Sequence, residues 1–519
     1  MNAPRPRPLL LLALLLAGCA SAPPRPAPAP QPPPAAPAAS PATVAPAAVH
    51  GDDARLVAAI ARHVAQPRFA ASHWGIHVLD LDSGRTLAAY APDARAIPAS
   101  NAKLYSAALA LALLGPEHRI ETTLEATGRI DADGVLHGDL VLRGGGDPSL
   151  GRMREGEAAA QWRSRLADAL AQAGVRRVRG DLVAETTRYA GPPFGSGWEA
   201  GDLQTAFGAT APALGSGGNA VLVRVHPDGR VEAPAAAGLS TRSHLAPGTG
   251  GADDLGLYRA PGSDELVVHG RATGAAREFR LAAPDPARMA ARELHGTLAE
   301  RGIRIDGGVR VHAWPAPPLP AGTTLGRVVS PPLAELVRPA LKDSDNLTAQ
   351  HLLLQAGLAA QARGDCVDGG RPPASTEGWG VCGLRAFLAG AGIDPDTALL
   401  EEGAGLSRKT LVTPRATTAL LAHSQRQPWG AALLDALPVA GVDGTLRNRM
   451  QGTPAAGRLR AKTGTLRYSH ALAGVVEDAR GRRIAFALML DRHVPPAPGS
   501  GLPGAAADLD ALAALIAGG

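Results

Sequence analysis

The stretch P-A-S-N-A-K-L-Y-S-A-A-L-A-L, residues 97–110, has the pattern of a turn followed by an α-helix. It sets Ser100 at the start of the helix and Lys103 three positions later, so both side chains lie on one face. Free N–H groups and the helix dipole at this end favour a developing anion. A serine hydroxyl becomes a nucleophile when a base removes its proton, and a desolvated lysine can be that base.

Lysine is scarce in this chain. Of 52 lysine and arginine residues only four are lysines, namely Lys103, Lys342, Lys409 and Lys462. A guanidinium stays charged, whereas a desolvated ammonium is able to lose its proton. The few lysines are therefore candidates for chemistry that arginine cannot perform. The alternative for residues 100–103 is an N-capping serine beside a surface lysine.

A second motif, K-D-S-D-N, occupies residues 342–346 in a turn between helical segments. Ser344 offers a hydroxyl that can relay a proton, and Asn346 offers an amide that can hold a substrate carbonyl. A helix cap explains the isolated S-D-N tripeptide equally well.

A third motif, K-T-G-T, lies in a predicted strand at residues 462–465. Gly464 would let a substrate backbone approach closely. Lys462 and the hydroxyls of Thr463 and Thr465 are suited to binding a carboxylate. Taken alone, K-T-G is a common tripeptide in turns.

The composition limits the number of domains, the make-up of the cores and the classes of function. A chain of 519 residues predicts two to four domains, and its 45% hydrophobic and 3% aromatic content predicts cores of Leu, Val, Ala and Ile. The basic run at 176–179 has no aromatic partners, so it is interpreted as a solvated strand edge and no nucleic-acid binding is predicted. No HExxH, CxxC or clustered histidines occur, and no metal or cofactor is predicted.

The N-terminus has the pattern of an export signal. Arg5 and Arg7 precede an apolar run at 9–17 that is too short to span a bilayer. The run ends in L-A-G-C, which resembles a bacterial lipobox and predicts a lipid anchor on Cys19 after a signal peptide at 1–19. By resemblance to lipoprotein sorting, Ala20 favours the outer membrane and a periplasmic location. The alternative is an ordinary signal peptide cut after Ala22.

The rest of the chain divides into segments that differ in composition and in predicted secondary structure. Residues 20–50 are a Pro/Ala-rich linker, which favours an extended spacer. Residues 51–116 and 284–519 predict a mixed sheet-and-helix domain, split by a strand-rich insertion at 117–283. Cys366 and Cys382 predict a disulfide in an exported protein, and a metal or catalytic role is less favoured because no histidine lies near them.

Together the three motifs, in this order, are typical of penicillin-binding proteins and class A β-lactamases. The chain further resembles the low-molecular-mass class C penicillin-binding proteins, which are D-alanyl-D-alanine carboxypeptidases and endopeptidases. The resemblance extends from about 73 to 490. It is carried by the motifs and by four stretches: R-A-I-P-A-S-N-A-K-L-Y-S-A-A-L-A-L-A-L-L-G, G-D-L-V-L-R-G-G-G-D-P-S-L, E-E-G-A-G-L-S-R-K-T-L-V-T-P and L-P-V-A-G-V-D-G-T-L-R-N-R-M.

The resemblance implies an α/β (α+β) fold. Its transpeptidase-like domain has a five-stranded antiparallel sheet flanked by helices, with two smaller domains inserted between the first two motifs. It implies that Ser100 attacks the bond between two D-alanines, that Lys103 takes its proton, and that Ser344 and Lys462 shuttle protons. Asn346 would position the substrate. The expected partners are peptidoglycan peptides, β-lactam antibiotics and, through the anchor, a membrane.

The resemblance also implies how a diaminopimelate side chain is recognised. Arg408 falls where the family binds its carboxylate, Glu185 where an Asp meets its amine, and Arg467 just beyond K-T-G. Two further departures are Glu402, where Asp is usual, and Asp491, where Asn is common. The rival readings are a serine β-lactamase, for which no ExxLN-type loop is found, and a non-catalytic peptidoglycan- or penicillin-binding lipoprotein.

Overall fold

The computed structural model describes residues 48–152, 158–246, 254–366 and 371–519. The helices in these ranges are α1 (Ala54–Val64), α2 (Ala102–Leu114), α3 (Gln161–Gln172), α4 (Pro286–Glu300), α5 (Leu333–Lys342), α6 (Asn346–Arg363), α7 (Thr376–Gly390), α8 (Pro414–Gln425), α9 (Gly430–Asp435) and α10 (Ala505–Gly518). The predicted signal peptide at 1–19, with Cys19, and most of the predicted linker at 20–50 lie outside the described residues.

The strands in the same ranges are β1 (His73–Asp80), β2 (Thr86–Tyr90), β3 (Glu121–Ala126), β4 (Arg129–Ile130), β5 (Val135–His137), β6 (Leu140–Arg143), β7 (Arg177–Val178), β8 (Leu182–Glu185), β9 (Ala220–Val225), β10 (Val231–Glu232), β11 (Ser240–Ala246), β12 (Asp254–Tyr258), β13 (Glu265–Arg271), β14 (Arg277–Ala282), β15 (Arg304–Ile305), β16 (Val309–His312), β17 (Thr323–Val329), β18 (Ala398–Leu399), β19 (Leu411–Val412), β20 (Arg460–Leu466), β21 (Ser469–Glu477) and β22 (Arg483–Asp491).

The main sheet has the strand order β2-β1-β22-β21-β20, and every neighbouring pair is antiparallel. The predicted five-stranded antiparallel sheet is therefore confirmed. Strand β1, near the start of the described chain, pairs with β22, near its end, so that Gly75 lies opposite Met489. Segments from near the beginning and near the end of the described chain are thus neighbours in the interior of one sheet.

Both faces of the main sheet are covered. Residues 484–490 of β22 are all buried, because alternate side chains enter two different cores. Ala485, Ala487 and Met489 pack in the core that contains α2 and α8. The side chains between them, such as Phe486, pack with α1 and α10. A near-continuous apolar strand is the expected signature of such double coverage.

Helix α2 is the central helix of the first core. Its residues from Ala102 to Leu111 are all buried, as expected of a helix that is apolar on every side. It packs against α5, α6 and α7 on one side and follows the turn that contacts β20. The helix ends at Leu114, and Gly115, with a φ of 83°, is its C-cap.

An insertion, residues 121–329, interrupts the main-sheet part of the chain. Its larger portion contains two sheets, β16-β8-β6-β3-β17 and β15-β7-β5-β4, packed with α3 and α4. A second portion, residues 220–282, carries the sheets β10-β9-β14 and β11-β13-β12 around a core of its own. Two inserted portions are what the family resemblance implies.

The boundary predicted for the insertion is wrong. From sequence the insertion is predicted to end at residue 283, yet in the structure β16 pairs with β8 and β17 pairs with β3. Helix α4, assigned from sequence to the catalytic domain, packs in the core of the insertion. The helical pattern of residues 285–302 shows one buried face, but it contains nothing that identifies the sheet this face covers.

The chain leaves and re-enters the main-sheet part at one place. The amide of Ser330 donates to the carbonyl of Ile120 over 2.8 Å, and the amide of Leu333 donates to His118 over 2.8 Å. Strands β3 and β17 continue this antiparallel pairing into the insertion. The insertion is therefore attached by two neighbouring strands.

Cys366 and Cys382 form a disulfide, as predicted. The stretch between the two cysteines is rich in Gly and Pro, so its sequence predicts a loop along its whole length. Instead α7 begins at Thr376, so Cys382 lies within a helix. Ser375 caps that helix by accepting a hydrogen bond from the amide of Gly378.

None of the described helices is long and apolar enough to cross a membrane. Within the same ranges, no group of three or more His, Cys, Asp or Glu side chains is arranged to hold a metal ion.

Candidate active site

Ser100 lies in a short 3-10 turn, Ala99–Asn101, that leads into α2. Ala99 has a φ of 47°, a left-handed conformation that is unusual for a residue with a Cβ. Such strain persists only where the surroundings enforce it, and it is common at functional sites. The turn thus holds Ser100 at the N-terminal end of the central helix.

Two glycines enclose this turn. A Cβ on Gly405 would lie 2.0 Å from the carbonyl oxygen of Ala99, and one on Gly464 would lie 2.3 Å from that of Pro98. From sequence, Gly464 is expected to let a substrate backbone approach closely. In the structure the backbone that approaches it is the protein's own. Gly464 therefore lets β20 pack against the turn that presents Ser100.

The structure brings Lys103 and Ser100 together as the spacing predicts. The Nζ of Lys103 donates hydrogen bonds to Ser100 Oγ at 2.7 Å, to Asn346 Oδ1 at 2.6 Å and to the carbonyl of Ala404 at 2.6 Å. Lys103 is fully buried. Its burial lowers the pKa to about 7, although the negative charges of Glu402 and Asp345 oppose the shift. Such an amine is able to accept a proton near neutral pH.

Ser344 and Lys462 form a second pair on the other side of the cleft. The Nζ of Lys462 donates to Ser344 Oγ at 2.9 Å and to the carbonyl of Thr463 at 2.8 Å. Burial, and then the charge of Lys103, hold the pKa of Lys462 well below its usual value. Ser344 itself has a φ of 59°, so a second strained residue lies at the site.

Asn346 links the main-sheet part of the chain to the insertion. Its Oδ1 accepts from Lys103, while its Nδ2 donates to the carbonyl of Phe207 in the insertion at 2.8 Å. Asp345, which precedes it, caps α6 by accepting from the amide of Thr348. The same carboxylate pairs with Arg152 at 3.1 Å. The S-D-N motif is thus both a helix cap and a site component.

Strand β20 carries the K-T-G-T motif at the edge of the main sheet. Thr465 is exposed there, whereas the hydroxyl of Thr463 is 2.9 Å from that of Thr445. An exposed sheet edge offers backbone groups to an extended peptide. This geometry suits a strand-like substrate laid beside Ser100.

The predicted substrate-binding arginines lie together. Arg408 donates from Nη1 to the carbonyl of Arg467 at 3.0 Å. Its Nε lies 3.1 Å from the carboxylate of Glu199, which the sequence analysis did not single out. The Arg467 guanidinium lies 5.1 Å from the ring centroid of Tyr468. An arginine and an acid therefore meet at the end of β20.

Glu185 is not that acid, and its prediction as a substrate-binding residue is wrong. It is 1% exposed, and its carboxylate binds Arg143 Nη1 at 3.0 Å and the amide of Thr187 at 3.0 Å. These partners satisfy a buried carboxylate within the insertion. No substrate amine can reach it in this conformation.

Two other acids, both on the segment after Gly195, lie near Arg408. Glu199 pairs with Arg408, and the pKa of Asp202 is raised by burial and by the charge of Glu199, with Arg408 acting in the opposite direction. The only sequence signal was a pair of acids in a glycine-flanked stretch, G-W-E-A-G-D. Such a stretch carries no motif, and its partner lies 209 residues away.

The other two departures have structural roles. Glu402 is fully buried, and it accepts hydrogen bonds from the amides of Ala404 at 2.6 Å, Gly405 at 2.7 Å and Ser407 at 3.2 Å. It thereby shapes the loop whose Ala404 carbonyl binds Lys103. Asp491 accepts from the hydroxyl of Ser469 at 2.5 Å.

The remaining lysines separate into two kinds. Lys342 donates to the carbonyl of Leu437 at 2.6 Å and to Asp443 at 2.5 Å, and so fixes the end of α5. Lys409 is exposed. Only Lys103 and Lys462 have the buried, shifted amines expected of proton-transfer groups.

Comparison with known proteins places this site in a family. The model of the D-Ala-D-Ala carboxypeptidase 3 (S13) family matches residues 56–506. The D-alanyl-D-alanine carboxypeptidase of Actinomadura sp. is 32% identical over 444 residues, which are 82% of this chain and 78% of that protein. One from Haemophilus influenzae is 26% identical over 446 residues, which are 81% of this chain and 86% of that protein.

A solved structure supports the same assignment. Penicillin-binding protein 4 from Haemophilus influenzae superposes with a TM-score of 0.75 at 25% identity, covering 87% of this chain and 97% of that one. The fold, the serine and lysine pairs and the extent of the family match agree with one another. The chain therefore belongs to the D-Ala-D-Ala carboxypeptidase 3 (S13) family and is a serine-type carboxypeptidase that acts on peptidoglycan.

Proposed function

We propose that Ser100 is the nucleophile and Lys103 its base. One observation carries the assignment: the Lys103 amine, with a pKa lowered to about 7 by burial, lies 2.7 Å from Ser100 Oγ. A base with a pKa near the working pH combines availability with proton affinity. Ser100 in turn lies where the helix terminus stabilises developing negative charge.

In the acylation step, Ser100 Oγ attacks the carbonyl carbon of the penultimate D-alanine. The Oγ–C bond forms, and the hydroxyl proton passes to Lys103 Nζ. Lys462 and Ser344, joined by a 2.9 Å hydrogen bond, supply a proton to the leaving amine of the terminal D-alanine as the C–N bond breaks. Water then hydrolyses the ester and restores Ser100.

The tetrahedral intermediate carries an oxyanion. By family resemblance, the backbone amides of Ser100 and Thr465 would stabilise it, each contributing on the order of 3 kcal/mol to the transition state. The close packing of β20 on the 99–101 turn supports this role, since it sets the two backbones side by side.

The site also supports a preference for the stem-peptide side chain. The side chain of diaminopimelate ends in an amine and a carboxylate, and Arg408 with Glu199 offers one complementary charge to each. An arginine fork suits a carboxylate because it can bind both oxygens. Action on cross-links, as an endopeptidase, uses the same acyl-enzyme and is part of the proposal.

We further propose that the mature enzyme is anchored by lipid at Cys19 and works in the periplasm, most simply at the outer membrane. The support is the L-A-G-C sequence at the end of the apolar run and the Pro/Ala-rich spacer that follows.

The deciding experiment is labelling with a fluorescent penicillin, with Ser100→Ala in parallel. A stable adduct that is lost in the variant supports the serine peptidase. Rapid hydrolysis of the drug with no stable adduct indicates a β-lactamase instead. No reaction at all, in a folded protein, contradicts the proposal and indicates a non-catalytic binding protein.

A further inference from the structure

A cavity of about 620 Å³ lies between the insertion and helices α6 and α7. This volume is within the range of pockets that bury small organic ligands. Its walls are dominated by apolar side chains, among them Pro193, Phe194, Leu203, Val311, Trp314 and Leu354. None of these residues has a role in the proposed reaction.

One buried cation lines the cavity without a counter-ion. Arg259 is 6% exposed, and its guanidinium donates to three carbonyls, those of Ser263 at 3.0 Å, Leu203 at 3.3 Å and Ala282 at 3.2 Å. Three bonds leave two of its five N–H groups unused. In the described parts of the chain, no carboxylate lies within ion-pair distance of Arg259.

Two acids also line the cavity, but both have partners of their own. Asp285 caps α4 and pairs with Arg288 at 3.1 Å. Glu377 accepts hydrogen bonds from Ser196 and from Gln350 Nε2, and burial raises its pKa. Neither partner of Glu377 is a cation, and burial favours its neutral acid form, whereas Arg259 is the one cationic side chain among the residues that line the cavity.

The cavity is distinct from the catalytic cleft. The segment at 194–207 contributes Ser196 and Leu203 to its lining. Other residues of that segment face the cleft, where Glu199 pairs with Arg408 and the Phe207 carbonyl accepts from Asn346. The segment thus separates two spaces.

We infer that this cavity is a second binding site, which takes an amphiphilic anion: an apolar body of one or two rings, or a chain of similar size, bearing one carboxylate or sulfonate. The apolar walls would bury the body, and Arg259 would bind the anionic group. A charge-assisted bond in a desolvated site is strong enough to select the anion over a neutral compound of the same shape.

A matched pair of fluorescent probes tests the inference on the full-length protein. 8-Anilinonaphthalene-1-sulfonate carries a sulfonate, and N-phenyl-1-naphthylamine has the same rings without it. We expect saturable binding of one sulfonated probe per chain, with the neutral probe bound more weakly. Binding should persist after Ser100 has been acylated by penicillin. Loss of binding on acylation, or no saturable binding, would overturn the inference.

Two variants locate the probe. Ala190→Trp fills a partly exposed position on the cavity wall and should abolish binding of both probes. Arg259→Met should weaken the sulfonated probe roughly ten- to a hundredfold and leave the neutral probe unchanged. Arg259→Lys keeps the charge and should retain the preference. Binding unaffected by Ala190→Trp, or equal losses of both probes in Arg259→Met, would contradict the assigned site.

Discussion

The amine of Lys103 donates a hydrogen bond to Ser100 Oγ over 2.7 Å while it is fully buried. Two further acceptors, Asn346 Oδ1 and the Ala404 carbonyl, fix its direction. Once the amine is neutral, its two N–H groups can serve these two acceptors and its lone pair can accept the proton of the Ser100 hydroxyl. This pairing leads to the first two predictions.

Lys103→Arg should fold but lose acylation by penicillin by roughly 10²- to 10⁴-fold, because a guanidinium keeps the charge and cannot accept the proton. The rate of fluorescent-penicillin labelling measures the effect. Lys409→Arg is the matched control, since Lys409 is exposed, and it should label normally. Near-normal labelling of the Lys103 variant would show that another group is the base.

The acylation rate should depend on pH with a limb near 7. The neutral form of Lys103 is the base and its pKa is about 7, so the rate constant should fall about tenfold per pH unit below 7 and level off above it. The charge of Glu402 opposes the lowering of this pKa. Glu402→Gln should therefore move the limb to lower pH, whereas Glu401→Gln should leave it in place. A limb that stays fixed in the Glu402 variant would remove Lys103 from the assignment.

Arg408→Ala should lower kcat/KM on diaminopimelate-containing peptides roughly ten- to a hundredfold, as expected for loss of a charge-assisted hydrogen bond. Peptides without that side chain should be cleaved almost as before. Equal losses on both substrates would mean that Arg408 supports the fold or the catalytic centre.

The acid partner is tested separately. Glu199→Gln should reduce the same preference, because Glu199 is the carboxylate paired with Arg408. Glu185→Gln should lower thermal stability and leave the preference intact, since Glu185 is buried against Arg143. The reverse pattern, with preference lost only in the Glu185 variant, would reinstate the sequence-based assignment.

Replacing both Cys366 and Cys382 with Ser should destabilise the protein by about 3 kcal/mol, the chain-entropy value for a loop of this length. The two cysteines are 16 residues apart. Denaturant unfolding of the variant, with reduced wild-type protein as the control, measures the difference. A variant as stable as the oxidised protein would show that the crosslink adds nothing to the fold.

The mature protein, isolated from its native host, should carry lipid on Cys19. Intact-mass analysis distinguishes this outcome from cleavage after Ala22, which would give a lipid-free chain. Limited proteolysis should cut the 22–48 spacer first, because a Pro/Ala-rich segment cannot bury a core.

What the sequence predicted correctly was local or was carried by the motifs. Ser100 and Lys103 are three positions apart on one helix, so spacing alone places them together. The S-D-N and K-T-G motifs identified Ser344 and Lys462 even though these pair across 118 residues. The scarcity of lysine also indicated Lys103 and Lys462, although Lys342 shows that a rare lysine can be purely structural.

The sequence-based predictions that were wrong depend on contacts that no local sequence pattern encodes. Glu185 was chosen by its place in a family stretch, but its neighbour Arg143 on β6 binds it, and a strand pairing decides that contact. Glu199 reaches Arg408 because the insertion folds back over the cleft. Gly464 was matched to a substrate, whereas its close neighbour is the carbonyl of Pro98. Each error concerns which residues, distant in sequence, contact one another in the folded protein.

The two adjacent attachment strands of the insertion have an evolutionary consequence. Because the chain departs at His118 and Ile120 and returns beside them at Ser330 and Leu333, one in-frame gain or loss of a gene segment can add or remove the whole insertion. The order and register of the main-sheet strands would stay the same. A shortened descendant would retain Ser100 and its base, yet lose the carboxylate that accompanies Arg408. Loss of the insertion would thus leave the Ser100–Lys103 pair and Arg408 in place and remove only Glu199 from the proposed side-chain site.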